Sequence, residues 1–157
     1  MTLKKTVLMI ACIAIAMFTM TGCKTFRSYT FNIETGEKIK VKLNTSSGEK
    51  LKNKKGRFAI VNEADETISI GVFFLPERID VMFKSISTAK GAEIIEEGAK
   101  DGFNYVFYKY TFEDGKVEWN YLTRQAGAKA GIVVTNSISE ESAAKVLDLV
   151  EFEYNPD

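Results

Sequence analysis

Hydrophobic and polar residues alternate along several short stretches of this 157-residue chain, which is the pattern of β-strands with one buried face. The clearest stretch is 38–44, where Ile39, Val41 and Leu43 alternate with lysines. Because outward-pointing lysines discourage pairing between sheet edges, we expect this strand to lie at an edge. Further strands are predicted at 57–61, 67–74, 103–112, 116–124, 129–135 and 151–154, and a short one at 92–97 because Gly91 and Gly98 bound it.

Two other stretches carry apolar residues at helical spacing. Pro76 suits the first position of a helix, because its missing N–H would be unpaired there in any case. A second helix is expected later in the chain, with either Ser137 or Ser139 as its N-cap. The apolar stripes are Ile79, Met82, Phe83 and Ile86 in the first helix and Ala143, Val146, Leu147 and Val150 in the second.

The most aromatic stretch, 103–112, has apolar residues on both faces and is therefore predicted to be a central strand. The Asp114-Gly115 pair then predicts a tight hairpin turn into 116–124. Because tight turns rather than helical crossovers join the long strands, the sheet should be antiparallel. The predicted fold class is α+β, an antiparallel β-sheet meander with two helices packed on it.

This order of elements resembles the PsbP-like fold. The resemblance rests on a helix before the meander and on the closing pattern from 133–136 through 150–152, and it covers roughly 38–154. Members of that fold are mostly binding or assembly-assisting proteins of membranes and envelopes, which is the role that the resemblance implies. A fold alone does not determine a function.

The first residues of the chain carry a targeting pattern. Lys4 and Lys5 precede the uncharged run 7–20, which is typical of a secretory signal. A helix that spans a bilayer needs about 20 apolar residues, and this run is shorter. The run leads into Met20-Thr21-Gly22-Cys23, which resembles the lipobox of bacterial lipoproteins. An ordinary cleaved signal followed by an incidental cysteine is the alternative.

The lipobox resemblance implies that Cys23 is acylated and becomes the mature N-terminus. We therefore expect a lipoprotein signal peptide at 1–22, a lipidated N-terminus and tether at 23–37, and a single α+β domain at 38–157. The expected partner is a cell membrane or outer membrane, reached through the lipid anchor, with the domain on its extracytoplasmic side. More than one lipid chain gives stable attachment.

Composition narrows the chemistry that this domain performs. The chain has 21 basic and 21 acidic residues and no histidine, and this balance argues against a nucleic-acid binder. Its two cysteines, Cys12 and Cys23, both fall in the targeting region, so the mature domain lacks thiol as well as imidazole ligands. The sequence also lacks phosphate-binding loops and nucleophile elbows. We therefore expect no metal, no cofactor and no enzymatic activity.

The charges are unevenly distributed along the chain. Residues 24–57 hold ten basic and three acidic residues, a net of +7, whereas residues 58–157 hold nine and eighteen, a net of −9. Because the basic part lies close in sequence to the expected anchor, it is a candidate contact for anionic headgroups. A solvated loop and strand face is the alternative. The residues concerned are Lys50, Lys52, Lys54, Lys55 and Arg57.

The aromatic hairpin is a second candidate surface. Tyr108, Tyr110, Trp119 and Tyr121 are predicted either to form a ligand platform or to fill the core. The sequence as a whole favours a non-enzymatic, lipid-anchored extracytoplasmic domain of the bacterial cell envelope that binds or helps to assemble an envelope protein or a small ligand. One alternative is a carboxylate-dependent hydrolase of envelope material, although the paired acids at 96–97, 113–114 and 140–141 should diverge or lie in solvent. The other is an immunity-type protein partner.

Overall fold

The computed structural model describes residues 25–155, which form ten strands, two α-helices and a short 3₁₀ turn at Ile86–Thr88. The predicted signal peptide and Cys23 lie outside the described residues. The strands are β1 (Phe26–Asn32), β2 (Lys38–Asn44), β3 (Lys50–Lys54), β4 (Arg57–Val61), β5 (Thr67–Phe74), β6 (Ala92–Lys100), β7 (Phe103–Thr111), β8 (Val117–Gln125), β9 (Gly131–Asn136) and β10 (Val150–Tyr154). The helices are α1 (Pro76–Ser85) and α2 (Glu140–Leu149).

The strands form two antiparallel sheets. One has seven strands in the order β3-β4-β5-β9-β8-β7-β6, and the other has three strands in the order β1-β2-β10. Helix α1 packs on one face of the large sheet, where Ile79 meets Leu122 and Val133. Helix α2 and the small sheet cover the opposite face, where Ala143 and Val146 join the main core. The α+β class and the antiparallel sheet are therefore confirmed.

A layer of phenylalanine rings joins the two sheets. Phe58 of the large sheet lies at the centre, with its ring centroid 6.0 Å from that of Phe31 and 6.3 Å from that of Phe152, both in the small sheet. The Phe58 ring lies directly over the backbone of Gly71 on the neighbouring strand, so closely that a Cβ at this position would fall 1.9 Å from a ring carbon. Gly71 is thus required by the close approach of Phe58.

Most sequence-predicted elements are confirmed, including the hairpin at Asp114-Gly115 and the helix that begins at Pro76. Ser139, not Ser137, is the N-cap of α2, because its side chain accepts a hydrogen bond of 3.1 Å from the backbone N–H of Ser142. Strand β3 was not predicted, because Lys50–Lys54 contains only one apolar residue, the buried Leu51.

Strand β2 does not lie at an edge, so this prediction is wrong. It is the middle strand of the small sheet and pairs with β1 on one side and β10 on the other. Its outward lysines are accommodated by a neighbour on β10, where Glu153 forms ion pairs with Lys40 at 3.6 Å and with Lys42 at 2.7 Å. The lysine face therefore carries cross-strand pairs and does not mark an edge.

The tether predicted at 23–37 is also wrong for the described part of that segment. Residues Phe26–Asn32 form β1, which pairs with β2 along its whole length. In β1 only Phe31 is buried, and the other six residues are at least partly exposed. A strand with so few buried positions has no clear alternation of apolar and polar residues in its sequence. Strand β1 belongs to the fold because its backbone pairs with β2 and because Phe31 enters the phenylalanine layer.

Replacing the central ring should destabilise the whole domain. We expect Phe58→Ala to lower the free energy of unfolding by about 3–5 kcal/mol, because the void would lie between two sheets that cannot close on it. Urea unfolding followed by circular dichroism measures this loss. The control is Phe26→Ala on β1, where the side chain is 46% exposed and the expected change is about 0.5 kcal/mol or less. Equal effects of the two substitutions would contradict the assignment of Phe58 as the centre of the core.

Candidate functional site

A cleft of about 440 Å³ opens at one end of the two sheets. Three separate parts of the chain form it: the turn that follows β1, the tip of the β3–β4 hairpin at Gly56, and the junction between β5 and α1. Its volume lies within the range of small-molecule sites, about 300–1,000 Å³. It is larger than three other cavities in the described part of the chain, which measure about 310, 270 and 10 Å³.

The floor of the cleft is aromatic and aliphatic. Phe31 and Phe73 lie there with their ring centroids 5.0 Å apart, and both rings also belong to the phenylalanine layer. Leu75 lines the cleft and remains 42% exposed, although it occupies the N-cap position of α1. Polar residues are strongly preferred at an N-cap because they can bond to the free N–H groups there. Leu75 therefore adds apolar surface to the cleft but does not cap the helix.

Arg78 carries positive charge to the wall of this cleft. Its guanidinium carbon lies 4.8 Å from the centroid of the Phe74 ring, which is a cation–π contact. None of the ion pairs formed among residues 25–155 involves Arg78. Two carboxylates, Glu34 and Glu77, also line the cleft. The site thus combines an apolar floor with a few charged groups of both signs.

The five basic residues singled out from the sequence lie along one hairpin but not in one environment. Lys50 and Lys52 both form ion pairs with Asp65 of the β4–β5 turn, at 3.3 and 3.1 Å. Lys54, Lys55 and Arg57 are exposed at the hairpin tip. In the part of the chain that the structure covers, these three form no ion pair. They flank Gly56, which lines the cleft.

This hairpin tip lies at the end of the domain opposite to the start of the described chain. Thr25 directly precedes β1, and its backbone carbonyl accepts a hydrogen bond of 2.8 Å from the backbone N–H of Thr45. The turn after β1, which lines the cleft, follows the other end of the same strand. Seven residues of strand cover about 20 Å. Lys54, Lys55 and Arg57 are therefore separated from Thr25 by about the length of β1, although the basic stretch is close to the expected anchor in sequence.

The aromatic hairpin does not form a single platform. Tyr108 and Tyr110 face α1, whereas Trp119 and Tyr121 face the main core on the other side of the sheet. Tyr108 and Tyr121 are each only 7% exposed, and burial raises the pKa of both phenols. The platform prediction is wrong because adjacent strands present these rings to opposite faces, and the core interpretation is confirmed for the two buried tyrosines.

A second groove of about 270 Å³ lies between α2 and the strands β6–β8. Tyr121 lines it together with Tyr105, whose hydroxyl donates a hydrogen bond to Glu96, and this bond raises the pKa of Tyr105. Lys100 donates to the backbone carbonyl of Leu147 at 3.0 Å. Tyr105, Glu96 and Lys100 in this groove thus already bond within the protein.

The paired acids found in the sequence do not converge. Glu96 and Glu97 are paired with Phe107 and Val106, which face opposite sides of the sheet. Glu140 and Glu141 stand in the first turn of α2, where negative charge favours the helix dipole. Clusters of three or more potential metal ligands do not occur among residues 25–155.

Patterns in the sequence do not predict the residues that shape the cleft, chiefly Phe31, Phe73, Leu75 and Arg78. One signal was present in the sequence. Leu75 precedes Pro76, so a helix that starts at the proline carries an apolar residue where an N-cap side chain is expected. The meeting of three distant segments leaves no comparable mark in the sequence.

Comparison with known proteins does not assign this chain to a family. No protein-family model matches it, and no curated protein is detectably similar. Neither helix in the described range is long and apolar enough to cross a membrane.

The two lysines beside Asp65 should hold its carboxylate ionised to unusually low pH. Hydrogen bonds from Lys52 and then Lys50 lower the pKa of Asp65 below its ordinary value of 3.8. We expect Lys52→Ala to raise this pKa towards 3.8, as measured by NMR titration of the carboxyl carbon. The control is Lys55→Ala on the same hairpin, which should leave the titration unchanged.

The direction of the linked stability change follows from the lowered pKa. The native state binds this proton more weakly than the unfolded chain does, so ionised Asp65 contributes to stability above the unfolded pKa. This contribution is lost as the pH falls through the native pKa of Asp65. A native pKa above 3.8 in the unmodified protein would contradict the ion pairs with Lys50 and Lys52.

Proposed function

We propose that this chain is a lipid-anchored, extracytoplasmic binding domain of the bacterial cell envelope, without enzymatic activity, and that the 440 Å³ cleft is its ligand site. The observation that carries the proposal is the cleft itself. It joins an accessible apolar floor to a small number of charged groups, the composition that ligand pockets commonly have.

The position of the cleft is consistent with this function. Cys23 precedes Thr25 by two residues, and an extended chain covers at most about 3.6 Å per residue. A lipid on Cys23 would therefore hold the Thr25 end of the domain close to the membrane. The cleft lies at the other end of β1, about 20 Å along the strand from that end of the domain.

We also infer a PsbP-like arrangement for this domain. In its favour, α1 precedes the run β6-β7-β8, and α2 leads directly into β10. The two helices cover opposite faces of the large sheet. The role that this likeness implies, binding or assisting assembly at membranes, agrees with the proposal but does not identify the ligand.

A hydrolase is the second candidate, and one observation favours it: Glu34 and Glu77 line the same cleft. Two carboxylates in one cleft are the minimum for acid–base catalysis without histidine. Such an enzyme would lose its turnover of envelope material when either residue is replaced by Gln, whereas a binding domain has no turnover to lose. An immunity-type partner would instead co-purify with one stoichiometric protein.

The apolar floor of the cleft can be tested with a neutral fluorescent probe, N-phenyl-1-naphthylamine. Both cores lie within residues 25–155, so a chain that starts at Lys24 keeps every described contact. We expect Leu75→Asn to weaken binding of the probe about tenfold, because apolar contact area is lost. Asn is a preferred N-cap, so α1 should not be destabilised.

The matched control for this test is Ile138→Asn. Ile138 is 57% exposed, precedes the N-cap of α2 and does not line the cleft. This variant should bind the neutral probe as the unmodified chain does. If the unmodified chain does not bind the probe, or if Leu75→Asn binds it normally, the cleft is not the ligand site.

The lipid anchor is tested in cells. We expect Cys23→Ala to move the protein from the membrane fraction to the soluble fraction, because the thioether to the lipid cannot form. Fractionation and immunoblotting follow the location, and metabolic labelling with a fatty acid follows the modification. A Cys23→Ala protein that stays in the membrane and keeps its first 22 residues would show that the anchor assignment is incorrect.

A further inference from the structure

Basic side chains outnumber acidic ones in and beside the cleft. Arg78 lines it, and Lys54, Lys55 and Arg57 surround Gly56 at its rim, against the two carboxylates Glu34 and Glu77. The first turn of α1 also lines the cleft, but Glu77 stands in that turn and offsets the positive end of the helix dipole. Four basic side chains thus stand in and beside the cleft, against two carboxylates.

Arg78 is arranged to meet an anionic group next to an apolar one. Its guanidinium lies against the face of Phe74, at 4.8 Å from the ring centroid. Stacking occupies the flat face of a guanidinium and leaves the N–H groups at its edge free to bond in two-point fashion to a carboxylate or phosphate. Since Arg78 has no ion-pair partner within residues 25–155, its donors need not leave another group to bind a ligand.

We propose that the cleft binds a small amphipathic anion, whose apolar body contacts Phe31, Phe73 and Leu75 and whose carboxylate or phosphate group is held by Arg78. This proposal rests on the proposed function and adds the chemical class of the ligand. A purely polar anion would gain nothing from the apolar floor.

Two probes with the same body separate charge from hydrophobicity. N-Phenyl-1-naphthylamine is neutral, and 8-anilinonaphthalene-1-sulfonate has the same ring system with a sulfonate that stands in for the carboxylate or phosphate. We expect the chain that starts at Lys24 to bind the sulfonate about five- to tenfold more tightly than the neutral probe, because hydrogen bonds to charged groups add to the apolar contact. Higher salt should weaken binding of the sulfonate only.

Arg78→Gln should remove the preference for the sulfonate, because the charged donor that distinguishes the two probes is lost. The matched control is Arg27→Gln. Arg27 also lies over an aromatic ring, at 5.6 Å from the centroid of Tyr29, but it does not line the cleft. We expect this control to bind both probes as the unmodified chain does. Leu75→Asn should weaken binding of both probes, since both use the floor.

The outcomes distinguish this proposal from the one on which it rests. Equal affinity for the two probes, or no effect of Arg78→Gln, overturns the anion assignment while the cleft remains a ligand site. Absence of binding by both probes overturns the proposed function as well. Competition separates the sources of the anion: a long-chain carboxylate or a lysophospholipid should displace the sulfonate at concentrations at which inorganic phosphate does not. Displacement by inorganic phosphate alone would overturn the requirement for an apolar body.

Discussion

The packing of phenylalanine rings between the two sheets is the interaction on which the rest of this structure depends. Phe58 contacts rings from both sheets and lies over Gly71 of the neighbouring strand, where a larger residue would meet its ring. At one end no element of residues 25–155 closes over the layer, and there Phe31 and Phe73 form the floor of the cleft. Core and candidate site are thus two parts of one apolar layer, so substitutions of these two rings would change stability and binding together.

Charged side chains are balanced by partners on neighbouring strands and turns, and the difference in net charge between the two halves of the sequence does not describe their surroundings. The basic residues of the first half are balanced locally where acidic partners exist, as Lys42 is by Glu153 and Lys52 by Asp65. At the tip of the β3–β4 hairpin such partners are absent among the described residues, and positive charge accumulates beside the cleft. Exposed ion pairs contribute little to stability. The unpaired basic side chains at this hairpin tip instead add positive potential beside the cleft.

Much of the fold was predictable from local patterns because those patterns have direct physical causes. The alternation in 38–44 predicted β2 with its buried face, and the Asp114-Gly115 turn predicted the β7–β8 hairpin. The patterns gave wrong predictions where a neighbouring strand provides the backbone pairing or the opposite charge that stabilises the segment. Strand β1 has a single fully buried side chain and is held by pairing with β2, and the lysines of β2 are matched by a glutamate on β10. Neither partner is visible from the segment alone.

The sequence by itself determined the types of element, the antiparallel sheet and the α+β class, because alternation, helical spacing and turn residues act over a few neighbouring positions. It also carries the lipobox-like segment that predicts an anchor at Cys23. Only the tertiary structure decided that the aromatic hairpin is divided between two faces and that a cleft forms from residues near 31–34, 56 and 73–78. The reason is that periodicity records whether a side chain is buried, whereas a cleft depends on which distant segments meet and where their packing ends.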